Sequence, residues 1–157
     1  MLAVNVLNMI EAKDGKKYGH SISDRVRLYG CDIDDMDAFV SGMKIKNKDF
    51  NQSSVEYIAK NYGTEGDDVL KLATLEKELS KNINTDSGIL AEVVYAIRNE
   101  TAKTLSDIIF RRTGIGTLGN PGDDVLKLVA DCAAKELGWG AERKKEELNA
   151  VVKMFAC

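Results

Sequence analysis

The feature that most constrains the fold of this chain is its near lack of proline, since Pro121 is the single proline among 157 residues. Average usage of about 5% would place roughly eight prolines in a chain of this length. Proline breaks the interior of a helix but is well tolerated in turns and at the edges of sheets. A chain that avoids it is expected to be rich in helices joined by short connections.

Apolar side chains recur at helical spacing along most of the chain, and no segment alternates convincingly with the period of a strand. The strongest pattern spans residues 86–113, where charged residues lie three or four positions apart on a separate face. We therefore predict an all-α fold, a compact bundle of about six helices built around one long central helix at about 86–113. The apolar positions of that helix are Leu90, Val93, Val94, Ile97, Leu105, Ile108 and Ile109.

Several short motifs mark where helices should begin and end. Ser53 followed by Glu56 forms a capping box and predicts a helix start. The seven residues Gly-Asp-Asp-Val-Leu-Lys-Leu occur at 66–72 and again at 122–128. In both copies the aspartates favour the positive end of a helix, so each copy predicts a helix start. Gly138 predicts a helix end, because glycine readily adopts the left-handed conformation found there.

The first helix begins at the N-terminus of the chain without capping chemistry. Residues 2–10 carry apolar side chains at helical spacing, and no Ser, Thr, Asp or Asn precedes them. A helix without a cap leaves its first amide groups without partners. Two explanations stay open, that a preceding segment has been removed or that the helix end frays. Residues 11–33 are polar, contain three glycines and predict a long loop.

Composition excludes several classes of function. The net charge of −3 argues against a domain that binds nucleic acid by neutralising phosphates. Cys31, Cys132 and Cys157 are odd in number and far apart, and His20 is the single histidine. That set supports neither a zinc site nor a disulfide framework. No stretch approaches 18 apolar residues, so we expect no transmembrane segment and a cytoplasmic location.

One segment matches the glycine fingerprint of dinucleotide-binding proteins, Gly-x-Gly-x-x-Gly at residues 114–119. The fingerprint works when a strand precedes it and a helix opens on it, so that the helix N-terminus meets the pyrophosphate. Here a predicted helix precedes the glycines, and Asn120-Pro121 delays the next helix. We interpret the segment as a turn between two helices.

The charged residues of the predicted long helix invite two interpretations. Arg111 and Arg112 could bind a phosphate or a carboxylate, or they could complement the negative end of the helix and pair with Asp107. Glu92 and Glu100 are eight positions apart, which separates them by about 12 Å along a helix. They cannot share a proton at that distance, so we predict a salt-bridge network with Arg98 and Arg111.

The stretch 91–113, Ala-Glu-Val-Val-Tyr-Ala-Ile-Arg-Asn-Glu-Thr-Ala-Lys-Thr-Leu-Ser-Asp-Ile-Ile-Phe-Arg-Arg-Thr, is the most recognisable part of the sequence. It resembles the C-terminal helical domain of FAD-dependent glycerol-3-phosphate dehydrogenases and alpha-glycerophosphate oxidases. Tyr-Gly at 62–63 and Leu-Gly-Trp at 137–139 match the flanks of that stretch in the family. The resemblance covers residues 50–155 well and the first 50 residues weakly.

The resemblance implies a larger protein. In the family a preceding α/β domain holds FAD and substrate, and glycerol 3-phosphate is oxidised to dihydroxyacetone phosphate with electrons passing to quinone or oxygen. The motifs of that domain do not occur here, so we assign no catalytic, cofactor-binding or metal residue and expect the chain alone to be inactive. Residues 1–33 are then a residual helix and loop from the junction with a missing upstream domain, and 34–157 the C-terminal helical domain. The parent enzyme could lie peripherally on the cytoplasmic membrane.

Within the resemblance, six charged residues are signature positions with an expected structural role, fixing how the long helix packs on its neighbours. They are Glu92, Arg98, Glu100, Asp107, Arg111 and Arg112. Because removing one partner of a buried ion pair costs about 3–5 kcal/mol, we expect Arg111→Ala to destabilise the domain. The implied partner is the upstream FAD-binding domain, together with a possible homo-oligomer. The alternative is a free-standing helical protein-interaction module or a separate subunit.

Overall fold

A computed structural model describes residues 2–17, 19–20, 22–83 and 85–156. The chain divides into two compact units, Met1–Asp32 and Ile33–Cys157. The first unit contains helix α1 (Leu2–Asp14), which is followed by Gly15 at φ 64 and then by turns and irregular backbone. The predicted opening helix is confirmed, while Met1 and Cys157 lie outside the described residues.

The second unit confirms the predicted all-α class. In the described residues we find no strand beyond an isolated antiparallel bridge between Asn82 and Ile89. None of the described helices is both long and apolar enough to cross a membrane. The helices are α2 (Met36–Lys46), α3 (Gln52–Tyr62), α4 (Gly66–Leu75), α5 (Ala91–Arg98), α6 (Leu105–Asp107), α7 (Asp123–Leu137) and α8 (Ala141–Phe155), with 3-10 helices at Gly63–Glu65 and Lys77–Ser80 and a π-helix at Ile108–Arg112.

Helix α5 is the centre of the core. Its first seven residues, 91–97, are all buried. A helix that is buried on every side has to be enclosed by its neighbours, and α4, α7 and the π-helix pack around this one. Helices α2 and α3 pack against each other, α3 also contacts α4, and α8 contacts α6 and α7. The other helices of the second unit are therefore arranged around the eight residues of α5.

The prediction of one long helix over residues 86–113 is wrong in its middle and at its start. Residues 86–90 are turns and irregular backbone that include the Ile89 bridge, α5 ends at Arg98, and a helix resumes only at Leu105. The Ala96 carbonyl accepts hydrogen bonds from the amides of both Glu100 and Ala102, at 3.2 and 3.0 Å. Thr101 has φ 60, a left-handed backbone that no continuous α-helix contains. The chain reverses tightly at this point and ends α5.

The second helical segment starts with its own cap. The Thr104 side chain accepts a hydrogen bond from the Asp107 amide at 3.1 Å, and the Asp107 carboxylate accepts one from the Thr104 amide at 3.1 Å. This reciprocal pair is a capping box. A third acceptor comes from α8, where the buried Glu147 accepts a hydrogen bond from the Leu105 amide at 2.9 Å. The new helix start is thus satisfied both locally and across the fold.

Helix α1 extends to Asp14, four residues into the predicted loop 11–33. The helix starts and the stop predicted from the short motifs agree with the structure to within one residue, except at one cap. Helix α3 begins where the sequence indicated, but Asn51 caps it by accepting hydrogen bonds from the amides of Ser53 and Ser54. The predicted capping box of Ser53 and Glu56 is therefore wrong. Gly138 ends α7 in the left-handed conformation, with φ 67 and ψ 34, as predicted.

The repeated Gly-Asp-Asp-Val-Leu-Lys-Leu sequence starts α4 and α7 in different ways. In the first copy Gly66 is the first helical residue, and a Cβ there would lie 3.2 Å from a methyl group of Ile58. In the second copy Gly122 precedes the helix with φ 96. Glycine therefore allows close helix packing at Gly66 and a backbone with positive φ at Gly122.

The glycines at 114–119 form turns after the π-helix and ahead of α7. A Cβ at Gly116 would lie 2.8 Å from Ile109 Cγ2 and 2.9 Å from the ring of Phe110. The Gly116 amide also donates a hydrogen bond to the Ile109 carbonyl at 3.1 Å. The turn therefore folds directly onto the π-helix, and only glycine fits at its point of contact.

We expect Gly116→Ala to lower the free energy of unfolding by about 1–3 kcal/mol, because the added methyl group overpacks against Ile109 and Phe110. The matched control is Gly42→Ala in α2, where no atom lies within 4 Å of an added Cβ. That change should raise the stability by about 0.5–1 kcal/mol through helix propensity. Urea denaturation followed by circular dichroism measures both, and a Gly116→Ala variant as stable as the parent would contradict the packing described.

Candidate functional site

Two tyrosines and three glutamates come together where α3 and α5 meet. Tyr62 is the last residue of α3, and Glu65 lies in the 3-10 helix that follows it. Glu92 and Tyr95 lie on the buried helix α5, and Glu100 lies just beyond its end. We call these five residues the tyrosine–glutamate cluster. It contains two of the six signature positions, Glu92 and Glu100.

Hydrogen bonds and a ring contact hold the cluster together. Glu92 is 1% exposed, and its carboxyl accepts hydrogen bonds from the Ile89 amide at 2.7 Å and from the Tyr62 hydroxyl at 3.2 Å. The rings of Tyr62 and Tyr95 pack edge to face with centroids 5.5 Å apart. The Tyr95 hydroxyl donates a hydrogen bond to Glu65 at 2.5 Å. The cluster therefore joins α3 to α5 through buried polar contacts.

Burial dominates the electrostatics of the cluster. Burial is the largest cause that raises the pKa of Glu92, to a net value of about 7; the charge of Glu100 acts in the same direction, and the hydrogen bonds from Ile89 and Tyr62 act in the opposite direction. Burial also raises the pKa of Tyr62, and the charges of Glu92 and Glu100 add to that effect. The pKa of Glu100 is raised by burial and by Glu65, with Arg112 opposing.

The geometry limits what this cluster can do chemically. Glu92 can hold a proton near neutral pH, but at 1% exposure its carboxyl cannot reach a substrate in solution. Glu100 is half-buried, and its Oε2 atom has no hydrogen-bond partner among the described residues. The arrangement serves contacts within the protein, since general acid or base catalysis requires the carboxyl to meet a reacting group.

Three of the remaining signature positions form ion pairs elsewhere, while Arg112 acts electrostatically on Glu100 of the cluster. Arg98 forms two parallel 2.8 Å hydrogen bonds with Glu136 of α7 through its Nε and Nη2 atoms, a bidentate side-on pairing of guanidinium and carboxylate that links α5 to α7. Arg111 pairs at 2.8 Å with Asp107, four residues earlier in the same helical segment. The predicted salt-bridge network of Glu92 and Glu100 with Arg98 and Arg111 is therefore wrong.

The structure also shows which structural residues the sequence prediction missed. Glu136 and Glu147 are absent from the signature positions, yet each supplies a contact between helices, to Arg98 and to the Leu105 amide. They lie 38 and 42 positions from their partners, so no local spacing rule connects them. Tyr62 was visible only as a flank of the family resemblance, without an assigned role.

The glycine segment does not fit a dinucleotide cofactor such as FAD. A π-helix precedes it instead of a strand, and the space beside Gly116 is filled by Ile109 and Phe110. The close approach of a pyrophosphate to the backbone is therefore blocked. Within residues 2–17, 19–20, 22–83 and 85–156, no group of three or more His, Cys, Asp or Glu side chains could hold a metal ion.

A cavity of about 560 Å³ lies beside the N-terminus of α3. Lys46, Lys77 and Asp49 line it, so both signs of charge are present. Lys46 is already paired with Asp67 at 2.6 Å. These charges select no particular class of ligand.

The two arginine pairs should differ in their contribution to stability. We expect Arg98→Ala to lower the free energy of unfolding by about 1 kcal/mol, because it leaves the 13% exposed Glu136 side chain without its bidentate partner. Arg111→Ala should cost no more than about 0.5 kcal/mol, because the Arg111 side chain is 72% exposed and its pair lies within one helical segment. The sequence-based expectation of a large effect at Arg111 is thus not supported by its position.

Urea denaturation of the two alanine variants beside the parent measures this difference. An Arg111→Ala variant that loses more stability than Arg98→Ala would contradict the assignment of the two pairs.

Residues 21–144 match the family model of the C-terminal domain of alpha-glycerophosphate oxidase. The chain is 35% identical over 106 residues to a probable mitochondrial glycerol-3-phosphate dehydrogenase of Dictyostelium discoideum, covering 67% of this chain and 17% of that protein. It is 26% identical over 151 residues to an alpha-glycerophosphate oxidase of Lactococcus lactis, covering 93% of this chain and 24% of that protein. The chain thus spans less than a quarter of these relatives. By the match over residues 21–144, it belongs to the family of alpha-glycerophosphate oxidase C-terminal domains.

Proposed function

We propose that the chain is the non-catalytic helical accessory domain of a longer flavin-dependent glycerol-3-phosphate dehydrogenase or oxidase. The observation that carries this proposal is the family match over residues 21–144, together with relatives that extend far beyond the matched stretch. The parent reaction would be the oxidation of glycerol 3-phosphate to dihydroxyacetone phosphate, with quinone or oxygen as the electron acceptor. FAD and substrate would be held by an upstream domain.

The contribution of this chain would be packing and contact with that upstream domain. Four signature positions support a structural role through their observed contacts: Glu92 within the core, Arg98 with Glu136, and Asp107 with Arg111. Residues 1–33 would form the junction with the upstream domain. Association into a homo-oligomer and a peripheral place on the cytoplasmic membrane belong to the same proposal.

The size of the protein in its own cell tests this proposal. We expect an antibody raised against the 157-residue chain to detect a protein several times heavier than 17.3 kDa. That protein, purified through the antibody, should show the visible absorbance of flavin and reduce an electron acceptor when glycerol 3-phosphate is added. The 157-residue chain purified alone is the control and should show neither property.

Other outcomes would contradict the proposal in distinct ways. A native protein of 17.3 kDa that purifies with a separate flavoprotein would make the chain a separate subunit. A native protein of that size with no flavoprotein bound would favour a free-standing interaction module. Flavin bound to the isolated chain would contradict the absence of a cofactor role for its residues.

A further inference from the structure

Glu92 is a buried carboxyl group without a cationic partner. It is 1% exposed, and the ion pairs formed by the described residues do not include it. The buried Glu147 differs, because Arg143 lies 2.5 Å from its carboxylate. Burying an ionised carboxylate is costly unless a cation or sufficient hydrogen bonds compensate for lost hydration. Glu92 therefore has the environment of a group that folding favours in its neutral form.

The groups that face Glu92 come from both sides of the contact. The Ile89 amide lies at the start of α5 and Tyr62 at the end of α3. Glu100 adds a second negative charge from the segment after α5. Glu65 faces Glu100 from the 3-10 helix, and the π-helix brings Arg112 towards Glu100. Tyr95 binds Glu65, and Tyr57 of α3 faces Tyr62. Among these groups the cation, Arg112, acts on Glu100.

We propose that Glu92 makes the contact between α3 and α5 depend on a proton. In the protonated form Glu92 donates its hydrogen to the Tyr62 oxygen, which reverses the hydrogen bond that the ionised form accepts from the Tyr62 hydroxyl, and its other oxygen still accepts a hydrogen bond from the Ile89 amide. When the proton leaves to water, a buried negative charge remains beside the half-buried Glu100. Hydration of that charge favours opening of the contact between the two helices. This inference concerns the chain itself and does not rest on the proposed parent enzyme.

The direction of the pH effect follows from proton linkage. The pKa of Glu92 is about 7 in the folded chain, above its ordinary value near 4.5. Between these values the folded state holds one more proton than the unfolded state, so raising the pH favours unfolding. One such proton changes the unfolding equilibrium constant up to about tenfold per pH unit. The effect is complete above about pH 7.

Other titrating groups act largely outside this window. The Lys44 and Lys60 ammonium groups lower the pKa of Glu56 to about 2, so its contribution is lost as the pH falls below the ordinary carboxyl range. Asp107, whose pKa is lowered first by its hydrogen bond with Thr104, behaves in the same way. Burial raises the pKa of Cys132 to about 11, which acts only in alkaline solution. Glu100 acts in the same direction as Glu92 and needs its own control.

The test measures urea denaturation of the 157-residue chain from pH 5 to pH 8.5, for the parent and for Glu92→Gln. Glutamine resembles the protonated acid, because its amide can donate to Tyr62 and accept from Ile89. We expect the unfolding equilibrium constant of the parent to rise up to about tenfold per pH unit between pH 5 and 7 and then to level off. Glu92→Gln should lose most of that rise.

Two further variants assign the effect to one residue. Glu147→Gln removes another buried carboxyl, but one that is paired with Arg143, so it should shift stability while leaving the pH dependence between pH 5 and 7 in place. Glu100→Gln should retain most of the dependence. Carbon-13 NMR of the glutamate carboxyl groups in the parent should show one titrating near pH 7 that is absent in Glu92→Gln. Hydrogen exchange of the Ile89 amide, corrected for the intrinsic effect of pH, should accelerate as that carboxyl ionises.

The proposal is overturned by a parent whose stability is constant from pH 5 to 7, or by a pH dependence that survives in Glu92→Gln or disappears in Glu147→Gln. A Glu92 carboxyl that titrates near its ordinary pKa would also overturn the proposal. Because this NMR titration is made on the parent chain, it tests the proposal even if Glu92→Gln does not fold. Titration near pH 7 with unchanged exchange of the Ile89 amide would overturn the opening of the helix contact.

Discussion

The rest of the second unit depends on the burial of residues 91–97 of α5. A helix of eight residues is too short to be stable on its own in water, so its stability has to come from tertiary packing. Seven consecutive buried residues, 91–97, supply it, since each fully buried aliphatic side chain contributes about 1.5–3 kcal/mol. The helices around α5 are in turn placed by the surface that it presents.

Because α5 is enclosed, polar residues have to provide hydrogen bonds for the backbone where the chain leaves the core. The chain has to leave the core after Arg98. After the turn through Thr101, the first amides of the next helix have no hydrogen-bond partners within that helix. The Thr104–Asp107 capping box and Glu147 satisfy those amides from two directions. Arg98 itself reaches out of the core to Glu136. Charged residues in the signature stretch thus serve mainly to end one helix, begin the next and hold their neighbours.

The signature positions contribute to the structure of the domain and not to a reaction. Their contacts are internal and their chemistry is structural, which agrees with a domain that accompanies a catalytic one. Glu92 differs from the other signature positions because it is buried without a cationic partner among the described residues. Its raised pKa of about 7 gives the core a group that can respond to pH. The short helix α5 then carries both a structural contact, at Arg98, and a group that responds to pH, at Glu92.

The sequence by itself determined the all-α class, most helix boundaries and the family, because helical spacing, glycine stops and short motifs are local properties of the chain. The break at 99–104 was also encoded locally, in the Thr104 to Asp107 spacing, but continuous apolar periodicity across it predicted a single helix instead. The partners of Arg98 and Glu92 were decided only by the tertiary structure. Glu136 and Tyr62 lie 38 and 30 positions away from them, and contacts over such distances depend on how the helices pack around α5. Burial, which sets the pKa of Glu92, is likewise a property of that packing and of no single segment.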